Sequence, residues 1–228
     1  MTPDAPSSPP RPRRFDLVVF DWDGTLFDST ALIADAIRAA CADVGTRVPS
    51  EVDARYVIGL GLAEALQHAA PELPASRYRE LADRYRHHYL AREDDVVLFE
   101  GTVQMLEALK SRGHRLGVAT GKSRRGLDRV LERSMLGSLF DATRTADETF
   151  GKPHPQMLLE LMDELAVGPE RTLMIGDTTH DLQLAANAGC AAIGVGYGAH
   201  AHDAFEAHAP LFVAHSMAEL AQWLERHA

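Results

Sequence analysis

Four apolar residues, Leu17-Val18-Val19-Phe20, run straight into Asp21, and a second carboxylate follows at Asp23. A β-branched, bulky run of this kind is the composition of a short buried strand. Gly24 then lets the chain turn. Two like charges at the end of a buried strand are costly unless something positive faces them. A surface Asp pair in a strand-to-helix turn is the plainer alternative, but the hydrophobic lead-in argues against a casual loop. The segment predicts a site for a hard cation, for an electrophile such as phosphorus, or for both.

Beyond Asp28-Ser29-Thr30, a helix N-cap cluster, Ile33, Ile37, Cys41 and Val44 recur at helical spacing up to Gly45. Helical patterns continue over 51–58, 62–70 and 76–92, punctuated by Gly59, Gly61, Pro71 and Pro74. From about Val96 the pattern changes. Strands are predicted over 115–119, 172–175, 191–195 and 211–213, alternating with helices around 103–109, 125–133, 155–166, 182–188 and 217–226. That alternation predicts an α/β fold, a doubly wound parallel sheet with an inserted helical unit. The expected division is a disordered tail over 1–14, a core over 15–29 and 96–228, and a helical insert over 30–95. Because it follows the first strand directly, the insert rises from the carboxyl edge of the sheet. Open α/β folds place their ligand crevices there, which suits a lid.

Charge narrows the partners. With Lys+Arg 23 against Asp+Glu 33 the formal charge is -10, which argues against wrapping nucleic acid or docking on anionic lipid. No run approaches the ~18 apolar residues that span a bilayer. An anionic substrate would need a local positive centre. Cys41 and Cys190 are the only cysteines, with no CxxC spacing, and read as free thiols of a reducing compartment. The Pro-, Ser- and Arg-rich start has no apolar core for a signal peptide, so the expected location is cytoplasmic.

Three further polar clusters stand at element boundaries like Asp21/Asp23: Thr120-Gly121-Lys122 after the second strand, Lys152-Pro153 before a helix, and Gly176-Asp177-Thr178-Thr179-His180-Asp181 after another strand. In a parallel sheet these loops converge on one edge. At least three carboxylates would then meet a hydroxyl and a lysine. Clustered carboxylates suit Mg²⁺, which prefers hard oxygen ligands and substrate phosphate. A carboxylate can itself be the nucleophile toward phosphorus. The Thr hydroxyl, backbone N–H groups and the Lys ammonium suit the non-bridging phosphate oxygens.

In this order, Asp21-Trp22-Asp23-Gly24-Thr25, Thr120-Gly121, Lys152-Pro153 and Gly176–Asp181 resemble the four signature motifs of the haloacid dehalogenase superfamily. The resemblance spans nearly the whole chain, and within the superfamily it is greatest to phosphoglycolate-phosphatase-like hydrolases with an α-helical cap. It implies a Rossmann-like core and a Mg²⁺-dependent phosphatase acting on a small-molecule phosphate monoester through an aspartyl-phosphate. Carried over by position, Asp21 is the nucleophile and a metal ligand. Asp23 is the general acid/base and lends its backbone carbonyl to the metal. Thr120, Gly121 and Lys152 hold the phosphoryl group, Asp177 is a metal ligand, and Asp181 supports the site. Asp23 separates the chain from the dehalogenases, which lack an Asp there. Gly176-Asp177 separates it from the β-phosphoglucomutase type, which usually has an acidic pair at the start of the fourth motif. The alternatives are such a phosphomutase or, more remotely, a phospho-accepting regulatory domain. A monomer or a homodimer fits either class.

Arg55 and Gly59, in Arg55-Tyr56-Val57-Ile58-Gly59-Leu60-Gly61, stand where the family's cap carries its substrate-specificity loop, with helix punctuation as the competing reading. Lys122 reads as a solvated loop lysine. Trp22 is expected to pack beneath the cap. His154 and His180 match no zinc spacing, and His87 and His88 read as a solvated helix face. The Gly194–His202 segment reads as a surface loop that borders the crevice only in the less favoured view.

Overall fold

The computed structural model describes residues 13–228. Its sheet is built around β1 (Leu17–Phe20), every residue of which is buried. After β1 come four helices, α1 (Thr30–Asp43), α2 (Glu51–Tyr56), α3 (Leu62–Ala69) and α4 (Tyr78–Leu90). The chain continues as α5 (Thr102–Ser111), β2 (Arg115–Thr120), α6 (Arg124–Ser134), β3 (Ala142–Thr145) and α7 (Gln156–Glu164). It ends with β4 (Thr172–Gly176), α8 (Thr179–Ala188), β5 (Ala191–Val195), β6 (Phe212–Ala214) and α9 (Met217–His227). The strands run in the order β3-β2-β1-β4-β5-β6, all parallel.

This order winds outward from β1 through β2 to β3, then returns to β4 on the other side of β1. A ligand crevice therefore opens where β1 and β4 end side by side. Their register, Phe20 opposite Ile175, puts Asp21 and Asp177 just past the ends of adjacent strands. Alternate β1 residues serve opposite faces, as the period of two requires. Val18 and Phe20 join a cluster with Leu106, Leu127 and Leu220, while Leu17 and Val19 pack with Met157, Leu161 and Leu182.

Two expectations need correction. The strand β3 carries no apolar run: Thr143 and Arg144 are half-buried on the sheet edge, and Arg144 pairs with Glu160 and Glu164, each at 2.7 Å. The edge position explains the missing signal, because charged side chains there discourage further pairing. Residues 1–12 of the expected tail lie outside the described residues, but Arg13 and Arg14 belong to the folded body. The Arg13 carbonyl accepts from the Arg171 guanidinium at 2.7 Å, and the Arg14 guanidinium lies 5.0 Å over the Phe15 ring. Trp22, fully buried, stacks on Phe27 at 5.1 Å and meets Phe140 at 6.0 Å, within the core cluster that also takes in Ile33 and Ile37 of α1.

The insert, α1 to α4, lies against the carboxyl edge. Its loop between α2 and α3 touches the loop after β2 so closely that a β-carbon on Gly121 would sit 2.6 Å from the Gly59 carbonyl oxygen. Only glycine fits at that crossing.

Candidate active site

Asp21, Asp177 and Asp181 are all buried, and each places a carboxylate oxygen within 4.8 Å of the others. Two come from the strand ends; the third lies in the first turn of α8. Lys152, on the loop before α7, reaches into the group. Its Nζ lies 2.7 Å from Asp21 Oδ1 and 2.6 Å from Asp181 Oδ1.

The three carboxylates differ in what else holds them. Asp181 Oδ2 accepts the Thr178 N–H at 3.1 Å and the Thr178 hydroxyl at 2.7 Å, in a capping box at the start of α8. Asp177 accepts the Thr25 hydroxyl at 3.1 Å on one oxygen and the Ala199 N–H at 2.6 Å on the other. Asp21 has Lys152 alone, and its Oδ2 has no hydrogen-bond donor among the described residues. Gly24, at φ 80, turns the chain so tightly past Asp177 that a β-carbon there would overlap the carboxylate.

Burial sets the electrostatics. It pushes the Asp21 carboxyl up to about 7; Lys152 pulls against this, and Asp181 adds to it. Burial likewise raises Asp177 well above the usual carboxylate range, with the Asp21 and Asp181 charges adding to the rise. Lys152 would be lowered by burial, but Asp181 and Asp21 outweigh that and hold it as an ammonium. Three carboxylates thus share one ammonium, and one buried Asp21 oxygen lacks any donor. An all-oxygen donor set with surplus negative charge fits Mg²⁺.

Asp23 stands apart from that trio. Its Oδ1 accepts the Ser29 hydroxyl at 2.7 Å, and its Oδ2 pairs with Lys122 Nζ at 3.0 Å. Lys122 corrects the expectation of a solvated side chain: it is 11% exposed and also donates to the Tyr89 hydroxyl of α4 at 3.0 Å. Burial would lower its pKa, but Asp23 and the two tyrosines Tyr89 and Tyr85 raise it overall. The Thr120 hydroxyl at the end of β2 accepts the Lys122 N–H at 3.2 Å, which fixes the turn that carries both.

Other side chains fall outside their expected roles. Arg55 does not line the cavity. Its guanidinium donates to the carbonyls of Gly198 at 3.0 Å and Ala199 at 3.4 Å and to the Thr30 hydroxyl at 3.3 Å, so it ties the insert to the core. Gly59 does line the cavity. The Gly194–His202 segment borders the site, since it supplies the Ala199 N–H to Asp177. His180 and His200 both point Nε2 at the Tyr56 carbonyl, each at 2.9 Å, and burial lowers the pKa of each. His88 is not simply solvated, because it pairs with Asp43 at 2.7 Å.

Above the charged floor lies a cavity of about 620 Å³. Asp21, Asp23, Thr120, Gly121 and Lys122 line its base. Ile33 and Ile37 of α1, Ile58 and Leu60 of the loop after α2, and Tyr85 and Tyr89 of α4 form its upper wall.

Residues 18–195 match the model of the haloacid dehalogenase-like hydrolase family. The chain is 36% identical to the probable phosphatase IndB of Dickeya dadantii, over 90% of this chain and 91% of that one. It is 33% identical to a 5'-nucleotidase of Pseudomonas aeruginosa, over 94% and 97% of the two chains. The crystal structure of a predicted phosphoglycolate phosphatase from Haemophilus somnus superposes with a TM-score of 0.80 at 26% identity, covering 92% of this chain and 97% of that one. A parallel sheet with acidic residues just past its two central strand ends, and a family match spanning both, lead to one assignment: the chain belongs to the haloacid dehalogenase-like hydrolases and is an enzyme of their phosphatase type.

Proposed function

We propose that the chain hydrolyses a small-molecule phosphate monoester through an aspartyl-phosphate on Asp21, with Mg²⁺ as cofactor. The observation that carries this reading is Asp21 itself: buried at the β1/β4 crevice, held by one ammonium, with Oδ2 free to act. Asp21, Asp177 and the Asp23 backbone carbonyl would hold Mg²⁺, which when bound supplies positive charge to the phosphoryl oxygens.

In the first step an Asp21 oxygen attacks phosphorus and the ester P–O bond breaks. The leaving oxygen takes the proton of the Asp23 carboxyl group. In the second step the Asp23 carboxylate removes a proton from water, and the water oxygen displaces Asp21 from phosphorus. Phosphate leaves, and both aspartates return to their starting states. Lys152 keeps Asp21 in place while its charge is spent on phosphorus, and the Thr120 hydroxyl and Gly121 N–H donate to the phosphoryl oxygens. Lys122 pairs with Asp23 Oδ2 at 3.0 Å and positions that side chain beside the floor of the cavity. The helices α1 to α4 act as a cap that excludes bulk water from the phosphoenzyme.

The test is phosphate release with and without Mg²⁺, together with acid quenching to trap a phosphoprotein. The expected result is Mg²⁺-dependent turnover and a base-labile phosphoprotein that Asp21→Asn abolishes. Turnover that survives Asp21→Asn would overturn the reading.

A further inference from the structure

The charged floor accounts for the phosphoryl group but uses little of the cavity. About 620 Å³ is within the range of pockets that enclose drug-sized molecules, far more than a phosphate with a short acid attached requires. What the rest of the space takes depends on its walls.

Among the described residues, no buried and unpaired cation lines the pocket. Lys122 is committed to Asp23 at 3.0 Å, Arg129 to Glu93 at 3.0 Å, and Arg86 to Asp83 at 3.0 Å. Arg125 lies exposed at the rim, where water screens it. Glu64 and, at the exposed edge, Asp147 add negative charge to the lining, while Glu93 is neutralised by Arg129. A second anionic group on the substrate would meet these acids without a cation to receive it. That disfavours a phospho-carboxylic acid, pyrophosphate or a bisphosphate.

The inner wall is instead apolar and aromatic. Ile33 and Ile37 face it from successive turns of α1, with Ile58 beside them, all buried. Tyr85 and Tyr89, one turn apart on α4, stack at 5.8 Å with planes 24° apart. Such walls favour an uncharged leaving group with a broad flat body. Resting on the proposed phosphatase reading, we infer that the substrate is a phosphate monoester of a bulky, uncharged alcohol bearing an aromatic ring, of the nucleoside monophosphate class. Its phosphate sits on Asp21, and its ring lies among Ile33, Ile37, Tyr85 and Tyr89.

The experiment compares kcat/KM, with Mg²⁺, for uridine 5'-monophosphate, thymidine 5'-monophosphate, phosphoglycolate, pyrophosphate and glucose 6-phosphate. At least one nucleoside monophosphate is expected to exceed phosphoglycolate and pyrophosphate by about tenfold or more. Phosphoglycolate or pyrophosphate matching or exceeding both nucleotides would overturn the substrate class and leave the phosphatase reading standing. No phosphate release from any of the five would overturn both. Tyr85→Ala supplies a second readout. It is expected to lower the nucleotide-to-phosphoglycolate ratio about fivefold or more, chiefly through KM for the nucleotide, with a cooperative thermal melt reporting that the variant is folded. A ratio that does not move would count against the aromatic wall as the determinant and overturn the inference.

Discussion

The two halves of the cavity are built on opposite principles. The floor is a set of buried charges, Asp21, Asp177, Asp181 and Lys152, fixed by strand ends and a capping box. The upper wall is apolar, contributed by α1, α4 and the loop after α2, with one cation, Lys122, joining the halves through Asp23 and Tyr89. Every floor charge depends on its neighbours, so a change there alters the proposed reaction, and removing the shared ammonium alters the fold as well. The wall is made of separable contacts, so a change there alters which molecule is accepted. One half fixes the chemistry, and the other is free to vary.

Substitutions can break that division. Asp21→Asn has the largest expected effect, a loss on the order of 10⁴-fold or more in kcat, because Asp21 is the proposed nucleophile. It should keep the fold, which a cooperative thermal melt checks. Lys152→Met comes next. It leaves three buried carboxylates without their ammonium and should cost about 3–5 kcal/mol of stability along with most activity. Denaturant titration reads the loss, and added Mg²⁺ is expected to restore part of it. Asp23→Asn should lower kcat by about 10²–10⁴-fold, with little change in melting temperature. A large drop in stability there would mean that Asp23 belongs structurally to the floor.

The smallest effect is the most diagnostic. The folded Asp21 carboxyl is raised from 3.8 to about 7, so between those values the folded protein holds a proton that the unfolded chain has released. Without Mg²⁺, stability should therefore fall as pH rises through this window, and Asp177, also raised, adds to the slope. Asp21→Asn should flatten the dependence, and Mg²⁺ should stabilise the protein more at the upper end than at the lower. Melts of both proteins across that range measure it. Equal slopes would show that Asp21 is not the strained charge of the floor.

The same contrast governs what could be read from the chain. Floor residues follow strands whose apolar runs announce them, which is why Asp21, Thr120 and Asp177 stood out together. Wall residues such as Ile33, Ile37 and Tyr85 lie at ordinary helical spacing, and a cavity lining reads like any helix core. Lys122 was misjudged because its partners, Asp23 and Tyr89, lie 99 and 33 positions away in sequence, and no local pattern reports that burial. Arg55 failed for a related reason. Its position suggested the crevice, but the Gly198 and Ala199 carbonyls, invisible in a sequence, claim the guanidinium. The strand β3 was silent because an edge position needs few apolar side chains.

One attachment sets a tempo. The Tyr56 carbonyl at the end of α2 takes N–H donors from His180 and His200, and the adjacent Arg55 grips the loop that feeds Asp177. This post ties the helical insert to the loops around Asp177, and through Thr30 it also holds the start of α1. A cap that opens to discharge the proposed alcohol would have to loosen this post. In the proposed mechanism, the post at Tyr56 is where a swing of the cap would be slowed or quickened without touching phosphorus.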